Sequence, residues 1–209
     1  MEIFNIMNFE IEFLPVGNGD SSGDAIIVRY GEKNPYKIMV VDGGTKESGQ
    51  MIVDHIKTHY KTDCVDYVVN THPDQDHASG LSVVMEKLNV GELWIHRPWK
   101  YTDILLDYFK DERITSKSLK ERFKNKFSAA YELEKIANDK GIVIKEPYQG
   151  QWIGDFHIMS PHKDWYLQEL IPDFDKTPEK KILDSLDLEK KKKKIKNFVL
   201  ESLNKETLK

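Results

Sequence analysis

Between residues 72 and 77 the chain reads His-Pro-Asp-Gln-Asp-His, two imidazoles and two carboxylates in a six-residue span. Imidazole nitrogens and carboxylate oxygens are the usual donors to divalent cations, so this density points to metal binding. In extended chain His72 and Asp74 project to one side, whereas Asp76 and His77 fall in the turn that follows, and two such pairs could serve two ions. Adjacent cations lower the pKa of a shared water and stabilise charge developing on the oxygens of a scissile ester, a chemistry suited to phosphodiesters.

These donors need elements to hold them. Residues 65–71, Val-Asp-Tyr-Val-Val-Asn-Thr, are β-branched and aromatic and run up to Pro73, which predicts a buried strand leaving its sheet. Leu81, Val84, Met85 and Leu88 recur at helical spacing, with Asp76 placed to cap the helix N-terminus, so the cluster bridges strand to helix. Upstream, Phe9, Ile11 and Phe13 alternate with glutamates in a first strand, and 24–30 and 36–41 give two more. A helix over 50–60 carries Met51, Ile52, His55 and Ile56, and 92–95 forms another strand. Two helices are predicted within 101–140, then a strand pair, 142–145 with 156–159. A short helix over 163–170, a loop over 172–178 and a lysine-rich helical stretch over 182–208 complete the reading.

The strand-to-helix cluster resembles the metallo-β-lactamase-fold hydrolases, whose signature there is His-x-His-x-Asp-His; Asp74 stands where that signature has its second histidine. The His-x-Asp-x-Asp-His form is similar to the subgroup that includes the hydrolase-like domain of ComEC-type competence proteins and their stand-alone relatives. Gly23-Asp24-Ala25 with its apolar strand, 39–44 as an apolar strand ending in Asp42-Gly43-Gly44, and 158–161 ending in Ser160-Pro161 agree with that subgroup. The resemblance implies an α+β, four-layer αββα sandwich in a single domain over 1–209. Its core lies at about 8–161 and a variable, lysine-rich helical segment at 174–209. The second sheet is expected to be incomplete, since about seven strands are legible where the family has about a dozen.

By the same resemblance His72 and Asp74 would hold one ion and Asp76 and His77 the other, with Asp76 also positioning the nucleophilic water. Asp42 would stand behind the ligands and orient a ligating histidine, although the same carboxylate could simply cap the turn that Gly43 and Gly44 permit. Substituting Asp74 for an imidazole hardens the first site and shifts the expected preference among one or two divalent ions from zinc toward manganese. The family's later ligands are not legible: His157 lies in an alternating strand, and His162 follows Ser160-Pro161 in a loop. The chain therefore reads as the N-terminal portion of such a domain. His96, within Trp94-Ile95-His96-Arg97-Pro98-Trp99, is expected to line a pocket wall or pack structurally, with substrate contact the lesser alternative, and His55 and His59 to be helix-surface or packing residues.

Composition limits the alternatives. With 209 residues, 39% hydrophobic, the chain can bury one sizeable core, and its net charge of −4 makes no global electrostatic case for nucleic acid. The single Cys64 excludes an internal disulfide, the N-terminus has neither a basic signal-peptide start nor a membrane span, and the cytoplasm is the expected compartment. Gly17 to Asp24 lacks the Gly-Lys-Ser/Thr ending of a phosphate loop and runs into a strand. The run Lys190–Lys194 with Lys196 has little aromatic interleaving and reads as a solvated helix face. The expectation is a metallo-hydrolase acting on phosphodiesters, nucleic acid among them. The alternative is a catalytically incomplete remnant that binds a partner or self-associates through an exposed sheet face.

Overall fold

A computed structural model describes residues 8–17, 23–31, 36–106 and 114–171. Its main unit runs to Lys163. Three antiparallel-joined strands open it: β1 (Asn8–Phe13), β2 (Ala25–Gly31) and β3 (Lys37–Gly43). From β3 onward the pairing is parallel, through β4 (Cys64–Val69), β5 (Asn89–Trp94) and β6 (Val143–Lys145), in the order 1-2-3-4-5-6. The connecting helices are α1 (Lys46–His55, running on as a wide turn over Ile56–Tyr60), α2 (Gln75–Lys87), α3 (Thr102–Leu105), α4 (Ser116–Lys126) and α5 (Ser128–Lys140).

Because parallel crossovers are right-handed and each step here moves to the next strand in the same direction, the crossover helices belong on one face of the sheet. The register sets Ile27, Val40, Val68 and Leu93 in one transverse row, all fully buried beneath α1, α2 and α5. The alternate positions, Val28 beside Met39 in one row and Val69 beside Trp94 in the next, face the other way with Tyr30. There they pack with Ile153 of a two-stranded sheet, β7 (Trp152–Ile153) and β8 (Phe156–His157). Helices, a long sheet and a short second sheet thus stack in the order of the first three layers of an αββα sandwich. The same apolar face extends onto β1, where Phe9, Ile11 and Phe13 align with Tyr30, Val28 and Ile26 but remain exposed.

Several local expectations shift. The 142–145 strand does not pair with 156–159; it extends the main sheet beside β5, and β8 pairs with β7 instead. Three helices rather than two occupy the described part of 101–140, the break between α4 and α5 falling at Phe127, whose side chain turns into the core. Asp76 is not the N-cap of α2: the helix begins at Gln75, so the cap position falls to Asp74, whose side chain makes no capping bond. The described part of a second unit, Asp164–Ile171, is helical, α6 (Lys163–Trp165) leading into a wide turn over Tyr166–Leu170. The lysine-rich stretch at 182–208 lies outside the described residues. Among the described residues no helix is long and apolar enough to cross a membrane.

Candidate metal centre

Strands β3 and β4 are parallel neighbours, so their C-terminal ends open at the same edge, where the loops of such sheets gather functional groups. At the end of β3, Asp42 takes a left-handed backbone, φ 54°. That conformation costs a non-glycine residue roughly 1–3 kcal/mol and is best tolerated by Asp and Asn. The residue is 1% exposed, and its carboxylate collects the loop that follows β4. Thr71 N–H (2.8 Å) and Asn70 Nδ2 (3.3 Å) donate to Oδ1, while Thr71 Oγ1 (2.5 Å) and His77 Nδ1 (3.0 Å) lie on Oδ2. A carboxylate offers about four lone-pair positions, and here each is taken.

His72 and His77 face each other across this anchor, ring centroids 3.8 Å apart and planes inclined at 52°. One ligand-type atom from each of Asp42, His72 and His77 lies within 4.8 Å of the others. Since protein donors occupy Asp42, the groups left for a cation are ring nitrogens. His77 Nδ1 is engaged by Asp42 and His72 Nδ1 by Thr71 Oγ1 (2.9 Å), which leaves Nε2 of both rings. Asp74, unspent on capping and 62% exposed, brings Oδ2 to 3.7 Å from His72 Nε2. His77 is mostly enclosed and His72 half-open, so the centre is anchored on one side and accessible on the other. Two imidazoles with a carboxylate at hand form a donor set that fits a divalent ion of the zinc-to-manganese range.

The position of α2 depends on close backbone approach. A Cβ built on Gly80 would lie 1.8 Å from the Gly43 carbonyl oxygen and 2.6 Å from that of Thr45, and one on Gly43 would lie 2.3 Å from Leu81 N. A Cβ on Gly23 would meet the Asp76 carbonyl oxygen at 2.1 Å. These glycines let the end of β3 and the first turns of α2 touch, and Gly80 N–H donates to Gly44 O at 2.9 Å. The Gly-Asp-Ala and Asp-Gly-Gly segments therefore serve the site through packing.

The family model for the metallo-β-lactamase superfamily matches residues 18–164. The chain belongs to this superfamily. Solved structures similar to it include the metallo-β-lactamase SMB-1 bound to 2-mercaptoethanesulfonate (17% identity, TM-score 0.37, covering 66% of this chain and 45% of that one). Another is a Thermotoga maritima protein with a provisional metallo-β-lactamase assignment (14% identity, TM-score 0.43, covering 78% of this chain and 69% of that one). The chain thus spans less than half of the first structure's length. A search of curated proteins found no match.

Members of the metallo-β-lactamase superfamily are generally hydrolases that bind divalent metal. Against that background, the sequence-predicted quartet separates. His72 and His77 come together with Asp42; Asp74 lies beside His72; Asp76 sits partly buried in the first turn of α2, outside the three-residue cluster. His157 is placed elsewhere, against the Trp152 ring at 4.8 Å, and His162 is exposed beyond Pro161. Of the two roles open to His55, helix surface or packing, the structure shows packing: its ring reaches Glu12 of β1 at 2.9 Å, where Tyr60 also donates.

His96 is buried at the end of β5, its ring 4.9 Å from that of Tyr148, and desolvation pushes its pKa down to about 4. The sign follows from linkage: the folded state resists protonating this ring, so its contribution is whole above pH 6.5 and is lost progressively from there down to about pH 4. The upper limit of that loss is about 3 kcal/mol. In thermal melts from pH 7.5 to pH 4.5, His96→Gln should flatten the stability profile, whereas an unchanged slope would place the acid sensitivity elsewhere.

Thr71 and Asn70 are the site residues that sequence reasoning passed over. They lie in the strand read as positioning the motif, and a hydroxyl-bearing residue just before a candidate ligand is a signal visible in the sequence. Asp24, whose Oδ2 lies 3.8 Å from His77 Nδ1, enters the sequence reading only through the Gly23-Asp24-Ala25 segment.

Proposed function

We propose that this chain is a metal-dependent hydrolase of phosphodiester bonds, with His72, Asp74 and His77 as the residues that would hold the cation and Asp42 as the group that orients them. The observation that supports this reading best is that both Nδ1 atoms are engaged by protein oxygens while the two rings face each other with centroids 3.8 Å apart, which leaves an Nε2 on each for a cation. A divalent cation held there would supply Lewis acidity, polarising the scissile bond and lowering the pKa of a water.

The chain's own groups define the remaining roles. Asp42 keeps His77 aligned, and a partner of this kind is typically worth about 10- to 100-fold in metal affinity or activity. Asp76, in the first turn of α2, is assigned to holding the attacking water and accepting its proton. The Asp74 carboxylate hardens the donor set and favours manganese beside zinc. Phosphodiesters are the favoured class because hydrolysing them requires neutralising an anionic ester; nucleic acid belongs to that class, and a net charge of −4 leaves its attraction to local groups.

The test is hydrolysis of bis-(p-nitrophenyl) phosphate and of single-stranded DNA with added Mn²⁺ or Zn²⁺, comparing the parent with Asp76→Ala. Loss of a positioned proton acceptor should lower the rate about 100-fold or more with metal content retained. Equal rates would remove Asp76 from the chemistry, and inactivity of the parent on both substrates with metal bound would remove the phosphodiester assignment.

A further inference from the structure

Thr71 stands between the two halves of the centre. Its hydroxyl oxygen is 2.5 Å from Asp42 Oδ2 and 2.9 Å from His72 Nδ1, and its backbone N–H donates to Asp42 Oδ1 at 2.8 Å. A hydroxyl carries one proton. Asp42, ringed by four donors, can only accept, so that proton goes to Oδ2. The hydroxyl must then accept from His72, which places a hydrogen on His72 Nδ1. By the parallel contact, His77 Nδ1–H donates to the same Oδ2 at 3.0 Å. One carboxylate oxygen thereby dictates the tautomer of two histidines, directly for His77 and through the Thr71 hydroxyl for His72.

We propose that Thr71 is a positioning residue that locks His72 as the Nδ1–H tautomer, turning its Nε2 lone pair outward beside that of His77. The burial gradient explains the need. His77 is mostly enclosed and meets the buried carboxylate itself, whereas the His72 side chain is 43% exposed and, without the hydroxyl, would exchange tautomers and ring orientations with solvent. A valine would match threonine in volume and shape but leave Oδ2 one donor short and His72 Nδ1 without its acceptor.

The inference rests on the proposed metal centre for its purpose but not for its test. Long-range ¹H–¹⁵N correlation of the metal-free protein at about pH 8, where an ordinary imidazole is neutral, reads each tautomer directly. The parent should show Nδ1–H at both His72 and His77. Thr71→Ser, which keeps the hydroxyl, should preserve both; Thr71→Val should shift His72 toward Nε2–H or a mixture and leave His77 as Nδ1–H. Zinc affinity should fall about 10- to 100-fold in Thr71→Val and be restored by Thr71→Ser.

His72 found as Nε2–H in the parent would overturn the proposal, a result that needs no variant to fold. So would a Thr71→Val protein in which His72 stays Nδ1–H. If the tautomers behave as stated but the parent takes up no zinc or manganese, the lock stands and the metal reading falls.

Discussion

His77→Ala is expected to lower affinity for zinc and manganese by more than about 100-fold, beyond the 10- to 100-fold typical of removing a supporting partner. Two losses add in this variant. One of two facing imidazoles disappears, and Asp42 Oδ2, buried at the end of β3, loses a donor, which costs the fold about 1–3 kcal/mol. The same substitution at His55, which bonds Glu12 away from the centre, should leave metal affinity unchanged. Isothermal titration of the three proteins checks this, and equal affinities for parent and His77→Ala would remove His77 from the donor set.

Among the described glycines, Gly80→Val should be the most disruptive packing change. The new Cβ would sit 1.8 Å from Gly43 O, 2.5 Å from Gly43 C and 2.6 Å from Thr45 O. All three are backbone atoms, so no rotamer relieves the overlap; α2 must withdraw from the end of β3. His77 lies one turn earlier on the same helix and would be drawn away from Asp42. Destabilisation of about 3 kcal/mol or more is expected, at or beyond the upper end of what overpacking usually costs because backbone rather than side chain must yield, together with loss of metal affinity in whatever protein remains folded. Urea unfolding measures the first and titration the second. A Gly80→Val protein as stable as the parent would show that β3 and α2 are not held in this close contact.

The sequence carried a good part of this arrangement and hid the rest for identifiable reasons. Two carboxylates and two histidines at a strand-to-helix junction are legible as chemistry because their density has little purpose in an ordinary loop. Which of them converge is another matter. Asp74 and Asp76 are equally suited by type to cap α2, and only the path of the chain through Pro73 decides that the helix starts at Gln75. Asp42 could be read as a carboxylate at the right sheet edge, yet its reach to Thr71 and His77 depends on a left-handed backbone that Asp tolerates but does not announce.

Strand pairing was hidden in a similar way. Alternation identifies 142–145 and 156–159 as strands but contains nothing about partners, and β6 finds β5 across the intervening helices. His55 shows the same limit: helical periodicity places it on a face, while its partner Glu12 is 43 residues away. The glycines misled in the opposite direction. Gly43 suggested turn freedom, whereas its lack of a side chain matters most because Leu81 N leaves no room for one.

His72 and His77 are proposed to present their Nε2 atoms together to a divalent cation. X-ray absorption at the metal edge of the zinc-loaded protein measures this directly. The expected spectrum carries the outer-shell scattering of two imidazoles on the metal, reduced to one in His72→Ala. A metal with no imidazole scattering, or a protein that retains no zinc after dialysis, would contradict it.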